Sequence, residues 1–253
     1  MENNKELNGK VAIITGAARN MGRAFAIRLA QNGANIVIHY HSESSKADAM
    51  ETLRLVEKAG AKAINVSGDI SDVSEVKHLF DETVKAFDRV DIVINNAGKV
   101  IKKPLTEITE EDFDSSFGIN TKAAFFIMQE AAKRMENNGR IINIGTTILG
   151  ATIPFYSVYA GSKSPLEDFT RALAKEIGNR GITVNTIAPG PIDTPFYHDQ
   201  ESPESVARAS QAGVAGRLGK PEDIVPITEF LASSKSQWVT AQTIFVNGGY
   251  LAR

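Results

Sequence analysis

The chain has 253 residues, a length that fits one large α/β domain. Hydrophobic residues make up 42% of it, enough for a substantial core, and a net charge of −2 supplies no basic face for nucleic acid. The absence of cysteine excludes disulfides, thiolate catalysis and Cys-ligated metal. No run reaches signal-peptide or membrane-span length, so the expectation is a cytoplasmic protein with a small-molecule partner and neither nucleic acid nor membrane.

Short apolar, β-branched runs alternate with longer helical patterns. Strands are predicted at Val11–Thr15, Ile36–Tyr40, Ala63–Val66, Ile92–Asn95, Ile141–Ile144, Thr183–Ile187 and Thr243–Val246. Helices are predicted at Met21–Gln31, Ser45–Lys58, Val73–Ala86, Phe113–Met135, Val158–Gly178 and Glu222–Ala232. Such alternation means βαβ units in a parallel sheet. Strands apolar on both sides expect helices on both faces. No repeat or linker divides the chain, so 1–253 is read as one domain. Residues 191–216, with no strand pattern, read as a substrate loop or lid that orders when cofactor binds.

The first predicted strand runs into Thr15-Gly16-Ala17-Ala18-Arg19-Asn20-Met21-Gly22 and then a helix. A glycine turn there lets backbone N–H groups and a helix N-terminus meet a pyrophosphate. Further on, Tyr159-Ala160-Gly161-Ser162-Lys163 puts a phenol and an ammonium at i and i+4, on one helix face. A free tyrosine titrates near ~10, and a neighbouring cation favours its phenolate. The pair can therefore trade a proton with a carbonyl or alcohol oxygen. Pro165 removes an N–H and crowds the carbonyl of Gly161, so a local kink is predicted beside this pair.

Together these stretches resemble the short-chain dehydrogenase/reductase family, in particular 3-oxoacyl-carrier-protein reductase-like carbonyl reductases, over Lys10 to Gly249. The glycine turn is similar to the family's Thr-Gly-x-x-x-Gly-x-Gly, with Asn20 in place of the middle glycine. Asn is among the few residues that tolerate φ > 0. Asp69-Ile70, Asn96-Ala97-Gly98, and Pro189-Gly190 with Ile192 and Thr194 resemble the remaining cofactor-side turns.

The resemblance implies a Rossmann-type doubly wound fold and a hydride transfer between nicotinamide and a carbonyl or alcohol carbon. It makes Tyr159 the acid–base, Lys163 its tuning cation and a holder of the nicotinamide ribose, and Asn120 a group that places Lys163 through a water. Thr146 stands where the family has the substrate-binding serine, with Thr147 as the second candidate. Thr146 keeps the hydroxyl but adds a methyl that restricts χ1.

The family's NAD users carry an acidic residue after the second strand. Here that stretch is Tyr40-His41-Ser42, and Arg19 offers a cation for a 2′-phosphate, so NADP(H) is expected over NAD(H). A ketone or 3-oxoacyl group is the expected substrate. The alternatives are an NAD-linked alcohol or sugar-alcohol dehydrogenase and a non-catalytic dinucleotide sensor.

Pocket candidates are Ile148, Leu149, Pro154, Phe155 and Tyr156 near the fifth strand, with Ile192, Phe196, Tyr197 and His198 in the loop. No metal is expected. His39 and His41 face one way on a strand but lack further ligands. The patterns of α/β-hydrolases and P-loop enzymes are absent. Family members are commonly homotetramers, so a homotetramer, or a homodimer, is expected.

Overall fold

The computed structural model describes residues 5–151 and 153–252. Seven strands form one all-parallel sheet in the order β3-β2-β1-β4-β5-β6-β7. They are β1 Val11–Ile14, β2 Asn35–Tyr40, β3 Ala63–Ser67, β4 Ile92–Asn95, β5 Arg140–Ile144, β6 Thr183–Pro189 and β7 Thr243–Val246. The helices are α1 Asn20–Gln31, α2 Lys46–Lys58, α3 Val73–Phe87, α4 Glu110–Phe117, α5 Ala124–Arg134, α6 Ile148–Ala151, α7 Ser157–Lys163, α8 Pro165–Ile177, α9 Pro195–His198, α10 Pro203–Ala212 and α11 Pro221–Ala232.

Successive strand residues point to opposite faces, and both faces are apolar. Ala12, Ile14, Ile36, Ile38, Ile92, Ile94, Ile142 and Ile144 pack with Phe25 and Leu29 of α1, Val56 of α2 and Leu231 of α11. Val11, Ile13, Val37, Val93, Ile141 and Val184 pack with Leu79 and Phe80 of α3, Ile127 of α5 and Ala174 of α8. The order reverses between β1 and β4, which opens a crevice at the carboxyl ends of the strands.

Three expectations need correcting. The predicted helix Phe113–Met135 is an unbroken helical run from Glu110 to Arg134, but not uniformly α: α4 and α5 are joined by a π-helical stretch at Gly118–Ala123. A wider turn has no local sequence signature; here it accompanies the buried Asn120. The predicted helix Val158–Gly178 is divided at Pro165. Ser164 between α7 and α8 keeps φ −55° and ψ −42°, so proline interrupts the hydrogen-bond ladder while the backbone stays helical. Residues 191–216, read as a loop, carry α9 and α10. Ser202 caps α10 by accepting from Ser205 N at 3.3 Å, and Pro203 takes the first helical position, where its missing N–H costs nothing.

Candidate active site

A cleft of about 1250 Å³ runs along the crevice from the turn after β1 to the wall formed by α7 and α9–α10. Its two ends are built differently.

At the first end the backbone makes the surface. Gly16 adopts φ +64° and Asn20 φ +52°, the left-handed conformation its residue type tolerates. Gly22 has no room for a side chain. A Cβ there would lie 2.3 Å from the Gly16 carbonyl oxygen and 2.8 Å from Ala17 Cα. The N-terminus of α1 has no side-chain cap and no acidic residue in its first turn. Its first N–H groups therefore lack intrahelical partners and sit where an anion is favoured. Asn96 Nδ2 donates to the carbonyls of Thr15 (2.9 Å) and Gly16 (3.2 Å), while Thr15 Oγ1 accepts from the N–H groups of Asn96 and Ala97, both at 2.9 Å. These bonds stitch the turn after β1 to the turn after β4. The close turn, the uncapped helix and the roomy cleft fit a dinucleotide.

The residues expected to hold that dinucleotide are placed as follows. Gly16, Arg19, Asn20, Met21, Gly22, Tyr40, His41, Asp69, Ile70, Asn96, Ala97, Gly98, Pro189, Gly190, Ile192 and Thr194 all line the cleft. Ser42 lies off the lining. Its hydroxyl pairs with Ser44 Oγ at 3.0 Å, and Ser44 and Ser45 take its place at the rim. Arg19 is exposed, its guanidinium 3.9 Å from Asp48, an open salt bridge that leaves its charge available to solvent.

At the other end, side chains make the surface. Tyr159, Lys163 and Thr146 line one stretch of the cleft. Lys163 is buried and donates to the Ile144 carbonyl at 2.9 Å, which ties α7 to the end of β5. Desolvation lowers the Lys163 ammonium to about 8. Burial pushes the Tyr159 phenol up to about 12, against the opposing pull of the Thr146 hydroxyl. Thr146 and Thr147 are distinguished by their partners. Thr147 is buried with its hydroxyl donating to the Ala188 carbonyl at 3.0 Å. Thr146 is half-buried, its oxygen accepting from Ile148 N at 3.3 Å and its hydroxyl turned to the Tyr159 phenol.

Asn120 is fully buried. Its Oδ1 accepts from Lys99 N at 3.0 Å, and its Nδ2 donates to the Lys99 carbonyl at 2.7 Å and to Ser162 Oγ at 2.9 Å. It thus clamps the chain beside Gly98, where a Cβ would lie 3.0 Å from Asn120 Oδ1 and 3.2 Å from Lys163 Nζ. Ser162, which donates to the Tyr159 carbonyl at 2.9 Å, ties the same cluster to α7. Sequence reasoning missed Lys99 and Ser162. Ser162 sits inside the Tyr-x-x-x-Lys spacing, and its helical neighbourhood was the available signal.

The outer wall is aromatic. Ile148, Pro154, Phe155, Tyr156, Phe196 and Tyr197 line it, whereas Leu149 and His198 do not. The His198 ring instead pairs with Asp193 at 2.7 Å. Phe155 holds φ +71°, strained for a bulky residue, with its carbonyl accepting from Lys103 N at 2.9 Å. Within this apolar wall lies a polar cluster that the sequence did not reveal. Glu201, its side chain 2% exposed, pairs with Lys102 Nζ at 2.5 Å and accepts from the Tyr156 hydroxyl. It ties the segment between α9 and α10 to the wall beside α7. Burial alone would raise the Glu201 carboxyl, but its bonds to Lys102, Ser205 and Tyr156 outweigh this and hold it below its usual range. The same burial, with Glu201 nearby, raises the Tyr156 phenol beyond reach of ordinary pH. The Tyr156 hydroxyl is thereby committed to Glu201.

Among the described residues no helix is long and apolar enough to cross a membrane.

The family model described as enoyl-(acyl carrier protein) reductase matches residues 16–251. A hydroxynaphthalene reductase-like protein of Metarhizium majus is 39% identical, over 98% of this chain and 97% of its own length. A short-chain type dehydrogenase/reductase of Picea abies is 40% identical, over 96% of this chain and 93% of its own. Among solved structures, a protein of Burkholderia cenocepacia described as a dehydrogenase, crystallised with NADP, superposes with a TM-score of 0.95 at 42% identity, covering 100% of this chain and 97% of its own.

Proposed function

The chain belongs to the short-chain dehydrogenase/reductase family, an NAD(P)-dependent oxidoreductase, and from that premise we propose that it reduces a ketone with NADPH. The observation that carries this reading is the shared cleft: Tyr159 and Lys163 lie buried at one end, and an uncapped helix N-terminus with a glycine turn lies at the other.

Gly16, Gly22 and the first turn of α1 hold the pyrophosphate, and Asn96, Ala97 and Gly98 support the nucleotide from the turn after β4. NADPH, held there, would supply the hydride for the carbonyl carbon. Tyr159, with its pKa raised to about 12, carries its proton at neutral pH and delivers it from Oη to the carbonyl oxygen. The Lys163 ammonium stabilises the phenolate left behind, and the Thr146 hydroxyl donates to the substrate oxygen. Asn120 acts through Lys99 and Ser162 to fix the positions of Lys163 and Tyr159.

The 2′-phosphate form is favoured because no carboxylate occupies Tyr40, His41 or Ser42, and because Arg19 lines the cleft with its charge exposed. The NADP bound to the Burkholderia relative supports the same choice. The aromatic wall suits a flat ketone better than a flexible 3-oxoacyl chain, in keeping with the name of the Metarhizium relative. Exposed Phe113 and Phe125 on α4 and α5, and Trp238, 98% exposed ahead of β7, fit two interfaces of a homotetramer. A cytoplasmic location completes the reading.

The test is a fluorescence titration with NADPH and then NADH, followed by NADPH consumption against aromatic ketones and 3-oxoacyl thioesters. Tighter NADPH binding, and turnover that Tyr159→Phe abolishes, are expected. NADH preference would overturn the roles of Tyr40 and Arg19, and turnover surviving in Tyr159→Phe would overturn the proton relay.

A further inference from the structure

We propose that His39 is a positioning residue for the cofactor, a neutral imidazole that braces the two nucleotide turns on either side of β2. The inference rests on the reading of the cleft as an NADP(H) site. His39 lies on β2, 2% exposed, and the mechanism above gives it no role.

Its ring spans two backbone groups. Gly16 N–H donates to Nδ1 at 3.3 Å, and Nε2 lies 3.0 Å from the Gly68 carbonyl oxygen. A carbonyl can only accept, so Nε2 must carry a proton. An N–H can only donate, so Nδ1 must be bare. The two contacts together allow one tautomer and no imidazolium, because a proton on Nδ1 would face the Gly16 N–H. Burial lowers the imidazole to about 4, with His41 pushing the same way while Asp69 and the Gly68 bond oppose.

The bonded partners give the ring its significance. Gly16 opens the left-handed turn after β1, pressed from the other side by Ala97, whose Cα would be 3.1 Å from an added Cβ. Gly68 follows β3 and immediately precedes Asp69 and Ile70, which line the cleft. The sheet order β3-β2-β1 places β2 between these two turns, and the main chain repeats the link through Ala17 N to the His39 carbonyl (2.9 Å) and Gly68 N to the Tyr40 carbonyl (3.1 Å). A side chain that fills the space without the two bonds deprives the part-buried Gly16 N–H and Gly68 carbonyl of their side-chain partner. Both sit in the turns that must stay preorganised for the nucleotide.

The test compares the NADPH dissociation constant of the wild type, His39→Leu, His39→Asn and His39→Gln, alongside each protein's melting temperature without cofactor. The Asn amide oxygen falls near the Nδ1 position and can still accept from Gly16. The Gln amide nitrogen falls near Nε2 and can serve only Gly68. Binding weakened about fivefold or more is expected in His39→Leu at temperatures well below its melting point, the lower end of the loss that an unsatisfied polar group produces. His39→Asn should recover most of the affinity, and His39→Gln less. Unchanged affinity in His39→Leu overturns the proposal. If His39→Leu fails to fold, His39→Gln binding as tightly as His39→Asn overturns it equally. A wild type that does not bind NADPH sinks the functional reading itself, a different result from equal binding by wild type and variant.

Discussion

The cofactor end and the substrate end share one cleft but are held by different means. The first is shaped by main chain: Gly16 and Asn20 in left-handed conformations, Gly22 against the Gly16 carbonyl, and an α1 terminus left uncapped. The second is shaped by side chains, among them Phe155 and Phe196, which remain 53% and 42% exposed. A surface made of backbone tolerates little, because each change is met by atoms that cannot rotate away. A surface made of side chains can be recut for a new substrate while the turns beneath it stay put. The contrast predicts that lesions at one end spare the function of the other.

The largest effect is expected at the end that Tyr159 and Lys163 occupy. Tyr159→Phe should lower kcat by about 10²–10⁴-fold, the usual contribution of a positioned acid–base, while the NADPH dissociation constant stays within about threefold. Steady-state kinetics beside a fluorescence titration reads both numbers, and a parallel loss of binding would blur the division. Gly22→Ala comes next. Its Cβ meets backbone on two sides, so a strain of about 1–3 kcal/mol should appear as weakened NADPH binding and a lower melting temperature.

Glu201→Ala probes the opposite end. It strands Lys102 and the Tyr156 hydroxyl, and a stability loss of about 1–3 kcal/mol together with a raised substrate KM is expected, with NADPH affinity unchanged. The Glu201 carboxyl is held below its usual range, so its contribution is present at neutral pH and is lost as pH falls through that lowered value. Chemical denaturation of wild type and variant at pH 7 and at acid pH should show their difference shrink at the lower pH.

The alkaline side isolates Lys163. Burial lowers its ammonium to about 8, so the charge that favours the Tyr159 phenolate disappears as pH rises through that value, and ketone reduction should decline there. A flat rate to pH 10 would remove Lys163 from the electrostatics of the step. The smallest effect is expected for Phe155→Gly. It relieves the strain at φ +71° and opens the wall, so stability should change by less than about 1 kcal/mol while KM for a bulky ketone rises.

The shape of the cofactor end was legible in sequence for the same reason that it tolerates little. Glycines, an uncommon Asn and short β-branched runs mark places where the chain must adopt special dihedrals, and Gly16, Asn20 and Gly22 carry that information locally. Strand positions were recovered within a few residues because period-two burial on both faces leaves a continuous apolar run. The rest depends on contacts between distant segments. The π-helical stretch at Gly118–Ala123 accompanies the Asn120 clamp on Lys99, which no local pattern encodes. The Glu201–Lys102 pair joins residues 99 apart. In sequence His39 offers only a metal ligand without companions, because its two backbone partners, Gly16 and Gly68, lie on distant segments. The α10 helix was hidden because Pro203 and the flanking glycines read as loop, although Ser202-Pro203 is also a helix start.

The pairing of β1 with β4 has a consequence in time. Val11 and Asp91, which meet through a 3.0 Å bond from Val11 N to the Asp91 carboxylate, are 80 residues apart. Joining them closes a long loop before any contact across it exists, a slow kind of event in folding. The nucleotide cleft straddles this seam, so it comes into being only once both halves have docked. NADPH therefore arrives too late to hasten folding. Once bound it holds the two halves together, and its influence should be felt in how long the folded enzyme survives heat or protease rather than in how quickly it forms.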